Sequence, residues 1–285
     1  MSLDIIQERL EREQPTTAAR EQHVLREILQ EIALSGLAHA GFFKQGAFHG
    51  GSSLRILHGL RRFSEDLDFI LRQPNAGFAW ARFADGLAAE LALYGVDLEI
   101  SDRSDERAVK CAFLKDESLG KLLRLRYPLR PGQKLTIKLE IDTNPPEGSV
   151  FEIRYVDFPV PFSVLAQDLS SGFALKLHAQ LCRKYVKGRD WFDFLWYLQR
   201  QCVPRWDLLS NALAQTGPWQ GHVRTIDAAW LVRELRTKVA AIDWTAAKQD
   251  VERFLGEPER RGLDVWDEAF FLAKAQALDA SLAPR

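Results

Sequence analysis

The sequence predicts an α+β protein, with a mixed-sheet domain over residues 1–165 followed by an α-helical domain over residues 166–285. Before residue 165, several segments alternate apolar and polar residues or form short apolar runs bounded by glycine or proline, which is typical of strands. After that point the apolar spacing is helical almost throughout. Seven of the eight tryptophans also lie after residue 190, so the composition changes together with the pattern.

The composition indicates a globular protein without an obvious nucleic-acid-binding charge. The formal net charge of the 285 residues is −1, so a nucleic-acid substrate would require a local basic patch. Three cysteines lack metal-ligand spacing and are interpreted as reduced thiols, small residues of the core. The first residues carry acids and no apolar signal core, and no run approaches the roughly 18 apolar residues of a membrane span, so a cytoplasmic location is expected.

Apolar spacing and turn residues predict the following elements in order. In the first half, we expect a helix at 18–35 ended by Ser35-Gly36, a buried strand at 40–48, a short helix at 53–58, a strand at 66–71 and a helix at 77–94. Further strands are expected at 96–100, 107–114 and 134–142, then an extended segment at 151–162 and helices at 173–184 and 187–198.

Gly50, Gly51 and Ser52 interrupt an apolar run directly before the short helix at 53–58. Glycine lets the backbone approach a ligand closely, and the free N–H groups at the start of a helix favour an anion such as phosphate. An isolated Gly-Gly-Ser is more often an ordinary turn, so these residues alone do not predict a site.

Asp66 and Asp68 lie on the next predicted strand, where residues two apart share one face. Neighbouring carboxylates repel each other unless a hard cation lies between them, and Mg²⁺ completed by substrate phosphates is the natural occupant. An isolated Asp-x-Asp is usually a solvated strand face. Together with the glycine turn one short helix earlier, the pair predicts a single site for Mg²⁺ and phosphate.

This order of features resembles the nucleotidyltransferase superfamily, and two longer strings are similar to one branch of it, the AbiEii (MenT-like) toxin family of type IV toxin–antitoxin systems. The strings are Gly50-Gly51-Ser52-Ser53-Leu54-Arg55 and Arg62-Phe63-Ser64-Glu65-Asp66-Leu67-Asp68-Phe69. The resemblance implies a nucleotidyltransferase-like first domain. It also implies that the glycine turn holds the triphosphate and that the two aspartates are catalytic metal ligands.

The strand at 134–142 alternates cleanly and places Lys138, Glu140 and Asp142 on one polar face. For an isolated strand, a solvated outer face is the simpler interpretation. The resemblance, however, implies a third carboxylate from a neighbouring strand near the attacking hydroxyl. Glu140 is the first choice as catalytic residue and metal ligand. Asp142 is the second, because the strand end at Asn144 could carry it out of reach. Lys138 is assigned to nucleotide binding.

A lysine on one helix, Lys176, precedes Asp190 and Asp193 in the first turn of the next. Acids in a first helical turn ordinarily complement the helix dipole or cap the helix. The pattern is also the third element of the AbiEii-like motif set, which spans roughly 43–198. The resemblance implies that Lys176 supplies positive charge to the phosphates, that Asp190 orients Lys176 or the nucleotide, and that Asp193 assists nucleotide binding.

The implied activity is Mg²⁺-dependent transfer of a nucleoside monophosphate from an NTP to an acceptor hydroxyl, with the 3′ end of tRNA as the implied acceptor. A cognate antitoxin is the implied partner, and no membrane is involved. Two alternatives stay open: an enzyme of this fold acting on a small molecule or a protein, and a non-catalytic NTP-binding module. A purely structural role would not explain why three charged motifs occur in this order.

Overall fold

The computed structural model describes residues 2–96, 99–102, 108–116, 118, 122–130, 133–222 and 226–282. The chain forms two compact units, one built on a mixed sheet and one helical, and the predicted α+β class is confirmed. The first unit comprises Met1–Gly59, Phe63–Pro145 and Phe151–Ala166. The second comprises Leu60–Arg62, Pro146–Val150 and Gln167–Arg285. Two short segments that precede residue 151 in the sequence therefore belong to the helical unit.

The described part of the chain contains seven strands, which form one sheet. They are β1 (Gly46–His49), β2 (Leu67–Leu71), β3 (Glu99–Asp102), β4 (Val109–Asp116), β5 (Leu135–Asp142), β6 (Phe151–Val156) and β7 (Phe162–Gln167). Their order is β3-β4-β5-β2-β1-β7-β6. β2 pairs antiparallel with β1 and parallel with β5, and β1 also pairs parallel with β7, which makes the sheet mixed.

The longer helices described in the first unit are α1 (Ser2–Glu13), α2 (Ala18–His39), α3 (Gly50–His58) and α4 (Ala81–Leu93). The prediction that Ser35-Gly36 ends the second helix is wrong. Gly36 instead allows α2 to pack closely on α4, because a Cβ there would lie 3.0 Å from Glu90 Cβ. Ser35 Oγ donates a 2.6 Å hydrogen bond to Glu90. The helix ends before Gly41, whose φ of +76° is the left-handed conformation that favours glycine.

Other predicted boundaries also differ from the structure. Of the residues expected to form a strand at 40–48, only those of β1 do so. The Phe42 ring packs against the first residue of β1, Gly46, where a Cβ would lie 2.3 Å from the ring. α3 begins at Gly50 and not at Ser53, α4 begins at Ala81, and the extended segment at 151–162 forms two strands. For the strands expected at 96–100 and 107–114, residues 97, 98 and 107 lie outside the described part.

Aromatic side chains fill the core behind β2. Phe69 packs edge-on against Phe42 and Trp80, with ring centroids 4.9 Å and 5.7 Å away. Because neighbouring residues on a strand point to opposite faces, this packing turns Asp68 toward the other side of the sheet. The aromatic core thus determines which face of β2 carries the carboxylate.

The second unit contains α5 (Leu169–Cys182), α6 (Gly188–Gln199), α7 (Trp206–Gln215), α8 (Ala228–Ala240), α9 (Trp244–Glu252), α10 (Glu257–Arg261) and α11 (Glu268–Leu282). Its core includes an aromatic cluster in which Trp191 lies 5.2 Å from Trp244 and 5.3 Å from Phe271. Gly188 begins α6 where a Cβ would meet the carbonyl oxygen of Ala247. Within the described residues, no helix combines the length and apolarity needed to cross a membrane.

Candidate active site

Two of the predicted carboxylates lie on neighbouring strands of the first unit, and a third directly precedes one of these strands. The register of the parallel pair β2–β5 places Asp68 opposite Glu140, and Asp66 immediately precedes β2. Burial raises the pKa of Asp66 to about 6, and the negative charges of Asp68 and Glu140 add to this effect. The arrangement is a group of mutually repelling carboxylates, which a bound cation would stabilise.

The glycine turn lies directly against Asp68. Gly50 has a φ of +78°, and a Cβ at this position would lie 2.5 Å from Asp68 Oδ2. Glycine is required here for both its conformation and its size. The backbone N–H groups of Gly50 and Gly51 lie in the first turn of α3, whose N-cap, His49, makes no side-chain capping hydrogen bond. These amides are suited to an anion beside the carboxylates.

Ser52 has a structural function in this turn. Its side chain is fully buried, and its hydroxyl donates a hydrogen bond to the backbone carbonyl of Asp66. The hydroxyl therefore joins the start of α3 to the residue before β2. Only the backbone of Ser52 is left to contribute to the predicted phosphate cradle.

Lys138 and Glu140 form an ion pair on the polar face of β5, with Lys138 Nζ 2.6 Å from Glu140 Oε1. Partial burial lowers the pKa of Lys138, but the hydrogen bond and the charge of Glu140 outweigh it, so the pKa lies above its usual value. Cys111, on the adjacent strand β4, places its Sγ 3.5 Å from the same Glu140 oxygen. The sequence analysis placed Cys111 in the core, but it is half-buried and contacts a candidate site residue.

Asp142 occupies a different environment from Glu140. It lies opposite Ile70 of β2, two residues beyond Glu140 along β5. Its Oδ1 accepts a 2.9 Å hydrogen bond from the backbone N–H of Asn144, at the turn that ends the strand. Of the two candidates for the third carboxylate, Glu140 is the one opposite Asp68.

Lys176, Asp190 and Asp193 come together in the second unit. Lys176 Nζ lies 2.8 Å from Asp193 Oδ2 and 3.5 Å from Asp190 Oδ1, and Arg183 Nε lies 3.3 Å from Asp190 Oδ2. Burial lowers the pKa of Lys176, but the charges of Asp193 and Asp190 more than compensate, so its pKa is raised. The ammonium group therefore keeps its charge although its side chain is only 17% exposed.

Arg62 is the residue of this cluster to which the sequence analysis gave no role. Its guanidinium binds Asp193 in a bidentate pair, with Nε 2.6 Å from Oδ1 and Nη2 2.7 Å from Oδ2. Burial alone would raise the pKa of Asp193, but Arg62 and Lys176 hold it below its ordinary value. Both oxygens of this fully buried carboxylate are thus occupied by cations. Asp193 holds the side chains of Arg62 and Lys176, and its predicted role in nucleotide binding stays a prediction.

The carboxylates of the first unit fit Mg²⁺ only in part. No group of three or more His, Cys, Asp or Glu side chains in the described ranges forms a metal-binding cluster. Asp66 and Asp68 nevertheless offer hard oxygen ligands, and their repulsion favours a cation. Because Mg²⁺ is commonly held by one or two carboxylates together with substrate phosphates, this donor set suits an ion that arrives with its nucleotide.

Two solved structures from Helicobacter pylori share the fold of this chain. A nucleotidyltransferase from Helicobacter pylori, described as putative, and JHP933 from the same species each superpose with a TM-score of 0.54 at 18% identity. In both matches 92% of this chain is covered, with 96% and 94% of the respective relatives. MenT4, a nucleotidyltransferase toxin from Mycobacterium tuberculosis, matches with a TM-score of 0.46 at 17% identity over 93% of this chain and 97% of its own.

No curated protein sequence matches the chain. The family model described as nucleotidyl transferase AbiEii toxin, type IV toxin–antitoxin system, matches residues 32–272. That range contains the glycine turn, the three carboxylates and the cluster of Lys176, Asp190 and Asp193. The chain therefore belongs to the AbiEii nucleotidyltransferase toxin family.

Proposed function

We propose that the protein transfers a nucleoside monophosphate from an NTP to an acceptor hydroxyl, with Mg²⁺ and with the 3′ end of a tRNA as acceptor. The observation that carries this proposal is the placement of Asp68 opposite Glu140 and against Gly50, with Asp66 beside them. The family match supports a nucleotidyltransferase restrained by a cognate antitoxin.

The reaction assigns a separate task to each residue. The acceptor oxygen attacks the α-phosphorus, the bond from that phosphorus to the bridging oxygen breaks, and pyrophosphate leaves. The proton of the acceptor hydroxyl passes to the Glu140 carboxylate. When bound, Mg²⁺ would be held by Asp66 and Asp68, with Glu140 as the third carboxylate, and would withdraw charge from the triphosphate. The N–H groups of Gly50 and Gly51 bind phosphate oxygens.

The cationic residues act by electrostatics. Lys138 lies 2.6 Å from Glu140 and offers its remaining N–H groups to the nucleotide. We propose, from the family motif, that Lys176 contributes its charge to the phosphates while Asp190 and Asp193 hold its side chain in place. Asp142 is assigned to the strand end and not to the chemistry.

The experiment that tests the proposal is incubation with each of the four α-³²P-labelled NTPs, Mg²⁺ and total RNA, followed by gel separation. We expect label on tRNA with the wild type and none with Asp68→Asn. Asp85→Asn, which changes an exposed carboxylate on α4, is the matched control and should retain activity.

The alternatives predict other outcomes of the same experiment. Label on a small hydroxylated acceptor or a protein, with none on RNA, would favour an enzyme of this fold with a different acceptor. Binding of NTP and Mg²⁺ without transfer to any acceptor would contradict the proposed reaction and favour a non-catalytic module.

A further inference from the structure

A cavity of about 360 Å³ opens in the first unit, at a place that none of the motifs covers. Its lining comes from α1, α2, α3 and the end of β6, and it includes Arg9, Glu31, Ile56 and Phe158. The cavity therefore combines buried charge with some apolar surface, as small-molecule sites commonly do.

Glu31, on α2, is the residue that makes this cavity chemically unusual. It is only 6% exposed, and its Oε2 accepts no hydrogen bond within the described part of the chain. Arg9 Nη2 lies 3.6 Å from this oxygen, which is an ion-pair contact beyond hydrogen-bonding distance. Arg9 Nε is likewise buried without a hydrogen-bond partner among the residues described. A buried carboxylate oxygen left in this state is destabilising.

The charges that face Glu31 do not balance. Arg55 of α3 donates two hydrogen bonds to Glu27, of 2.7 Å from Nε and 3.3 Å from Nη2. Its charge therefore mainly neutralises Glu27. Arg9 is then shared among Glu13, Glu27 and Glu31 at 3.6–3.8 Å. When Glu31 is ionised, three carboxylates thus face two guanidinium groups. Burial raises the pKa of Glu31 to about 8; Arg9 and Arg55 oppose this effect, and the charges of Glu27 and Glu13 add to it.

The remaining charges that line the cavity do not correct this imbalance. Glu8 and Asp157 add two carboxylates, and Arg12 adds one guanidinium. The cavity and its surroundings therefore lack positive charge at the place where Glu31 has an unused acceptor. The exposed ring of Tyr155 also lines the cavity and offers a face on which a cation can lie.

We propose that this cavity binds an organic cation, a guanidinium or primary ammonium group, which donates N–H hydrogen bonds to Glu31. A bare metal ion fits less well, because the space is much larger than an ion and Ile56 and Phe158 form part of its lining. The proposed site shares no residue with the nucleotidyl-transfer site, so each can be tested without the other.

Cation binding at Glu31 is linked to proton release. At pH 7 the carboxyl is mostly protonated, because its pKa is about 8, and it must ionise to pair with a cation. A bound cation lowers that pKa, so affinity increases from pH 6 to pH 9. The charged groups that face Glu31 during this change are Arg9 and Glu13 of α1, Glu27 of α2 and Arg55 of α3.

The test is isothermal titration calorimetry of the whole protein with agmatine and with the capped tripeptide acetyl-Gly-Arg-Gly-amide. Binding of agmatine alone would identify a free small-molecule cation, and binding of the peptide as well would identify an arginine side chain as a sufficient ligand. We expect saturable one-to-one binding that is at least tenfold weaker in Glu31→Gln and unchanged in Glu257→Gln, a control at a carboxylate whose side chain is 79% exposed.

A second measurement needs no variant. Titrations at pH 7 in buffers of different ionisation enthalpy report the protons released, and we expect up to one per bound cation. Absence of saturable binding by both probes would overturn the proposal. So would equal affinity in Glu31→Gln, or binding by the wild type without proton release.

Discussion

Arg62 and Asp193 form a buried ion pair, in which the side chains are 2% and 0% exposed. Two hydrogen bonds of 2.6 Å and 2.7 Å join them, so removal of either partner leaves a buried charge without its main counter-ion. Breaking such a pair typically destabilises a protein by about 3–5 kcal/mol, whereas an exposed pair contributes about 0–1 kcal/mol.

We therefore expect Arg62→Met to lose about 3–5 kcal/mol of unfolding free energy in urea denaturation. The neighbouring residue supplies the control, since Arg61 is 78% exposed and lies 3.4 Å from Glu259. Arg61→Met should change stability by less than about 1 kcal/mol. Similar losses in both variants would contradict the assigned importance of the buried pair.

Asp66 gives the protein a pH-dependent stability of its own. Its folded-state pKa of about 6 lies above the unfolded value of about 3.9, so the folded state binds the proton more tightly between these values. The contribution of Asp66 to stability therefore decreases as pH rises through this window. Asp66→Asn removes the effect, so its melting temperature relative to wild type should increase from pH 4 to pH 7 in the absence of divalent ions.

The control for this series is Asp85→Asn, which makes the same substitution at an exposed carboxylate outside the candidate site. The same pH dependence in both variants would show that repulsion and burial do not act on Asp66 as the structure indicates. The same ionisation governs metal binding, and Mn²⁺ affinity should fall as pH drops below about 6.

The two ends of α3 offer a second matched pair, because Gly50 at its start and Gly59 directly after it both have positive φ but different surroundings. A Cβ at Gly50 would lie 2.5 Å from Asp68 Oδ2, whereas one at Gly59 would meet nothing within 4 Å. Gly59→Ala should therefore lose only about 1–2 kcal/mol, the cost of the left-handed conformation. Gly50→Ala should lose more, and it should also weaken binding of Mg²⁺–NTP in calorimetry by displacing Asp68. Equal effects on stability and binding would argue against close contact between the turn and the carboxylate.

Local sequence patterns predicted the elements that depend on local periodicity. The alternation of β5 and the apolar stripe of α6 correspond to observed elements within one or two residues. Ser35-Gly36 misled the prediction, because glycine serves there to bring α4 close and not to end a helix. Whether such a glycine ends its helix or lets it pack closely depends on the partner helix, which here lies about fifty residues later in the sequence. The spacing of apolar residues around the glycine gives no information about that partner.

The composition of the candidate site was accessible to sequence reasoning, but its pairing was not. Asp68 and Glu140 are opposite each other because β2 and β5 pair in one register, and a shift by one residue would separate them. The bond between Arg62 and Asp193 joins positions 131 residues apart, and nothing in the spacing of either motif indicates it. Only the charge of Arg62, at the start of the string over residues 62–69, could have indicated that Arg62 needs a counter-ion.

At the scale of the whole molecule, the predicted site residues are divided between the two units. Asp66, Asp68 and Glu140 belong to the first unit, and Lys176 belongs to the second together with Asp190 and Asp193. Lys176→Ala tests whether the second unit takes part in catalysis. If Lys176 acts on charge that develops in the transition state, kcat should fall by about 10²–10³ with a smaller change in KM. Lys176→Arg should restore only part of the rate, because its donor geometry differs.

The structural contribution of Lys176 must be separated from its catalytic one. Its loss also weakens the support of Asp193 and Asp190, so unfolding of each variant should be measured alongside kcat. A variant that is folded at the assay temperature but has an unchanged kcat would remove Lys176 from the mechanism.

The membership of Leu60–Arg62 in the helical unit limits how the protein can be divided into pieces. A fragment that starts at residue 167 would contain Asp193 and Lys176 but would lack Arg62, so one buried carboxylate would lose its bidentate partner. During synthesis on the ribosome, by contrast, Arg62 emerges long before the helices that need it. The helical unit therefore cannot be produced intact by truncation at its main boundary, and its ion pair can form only after both ends of a 131-residue separation have been translated.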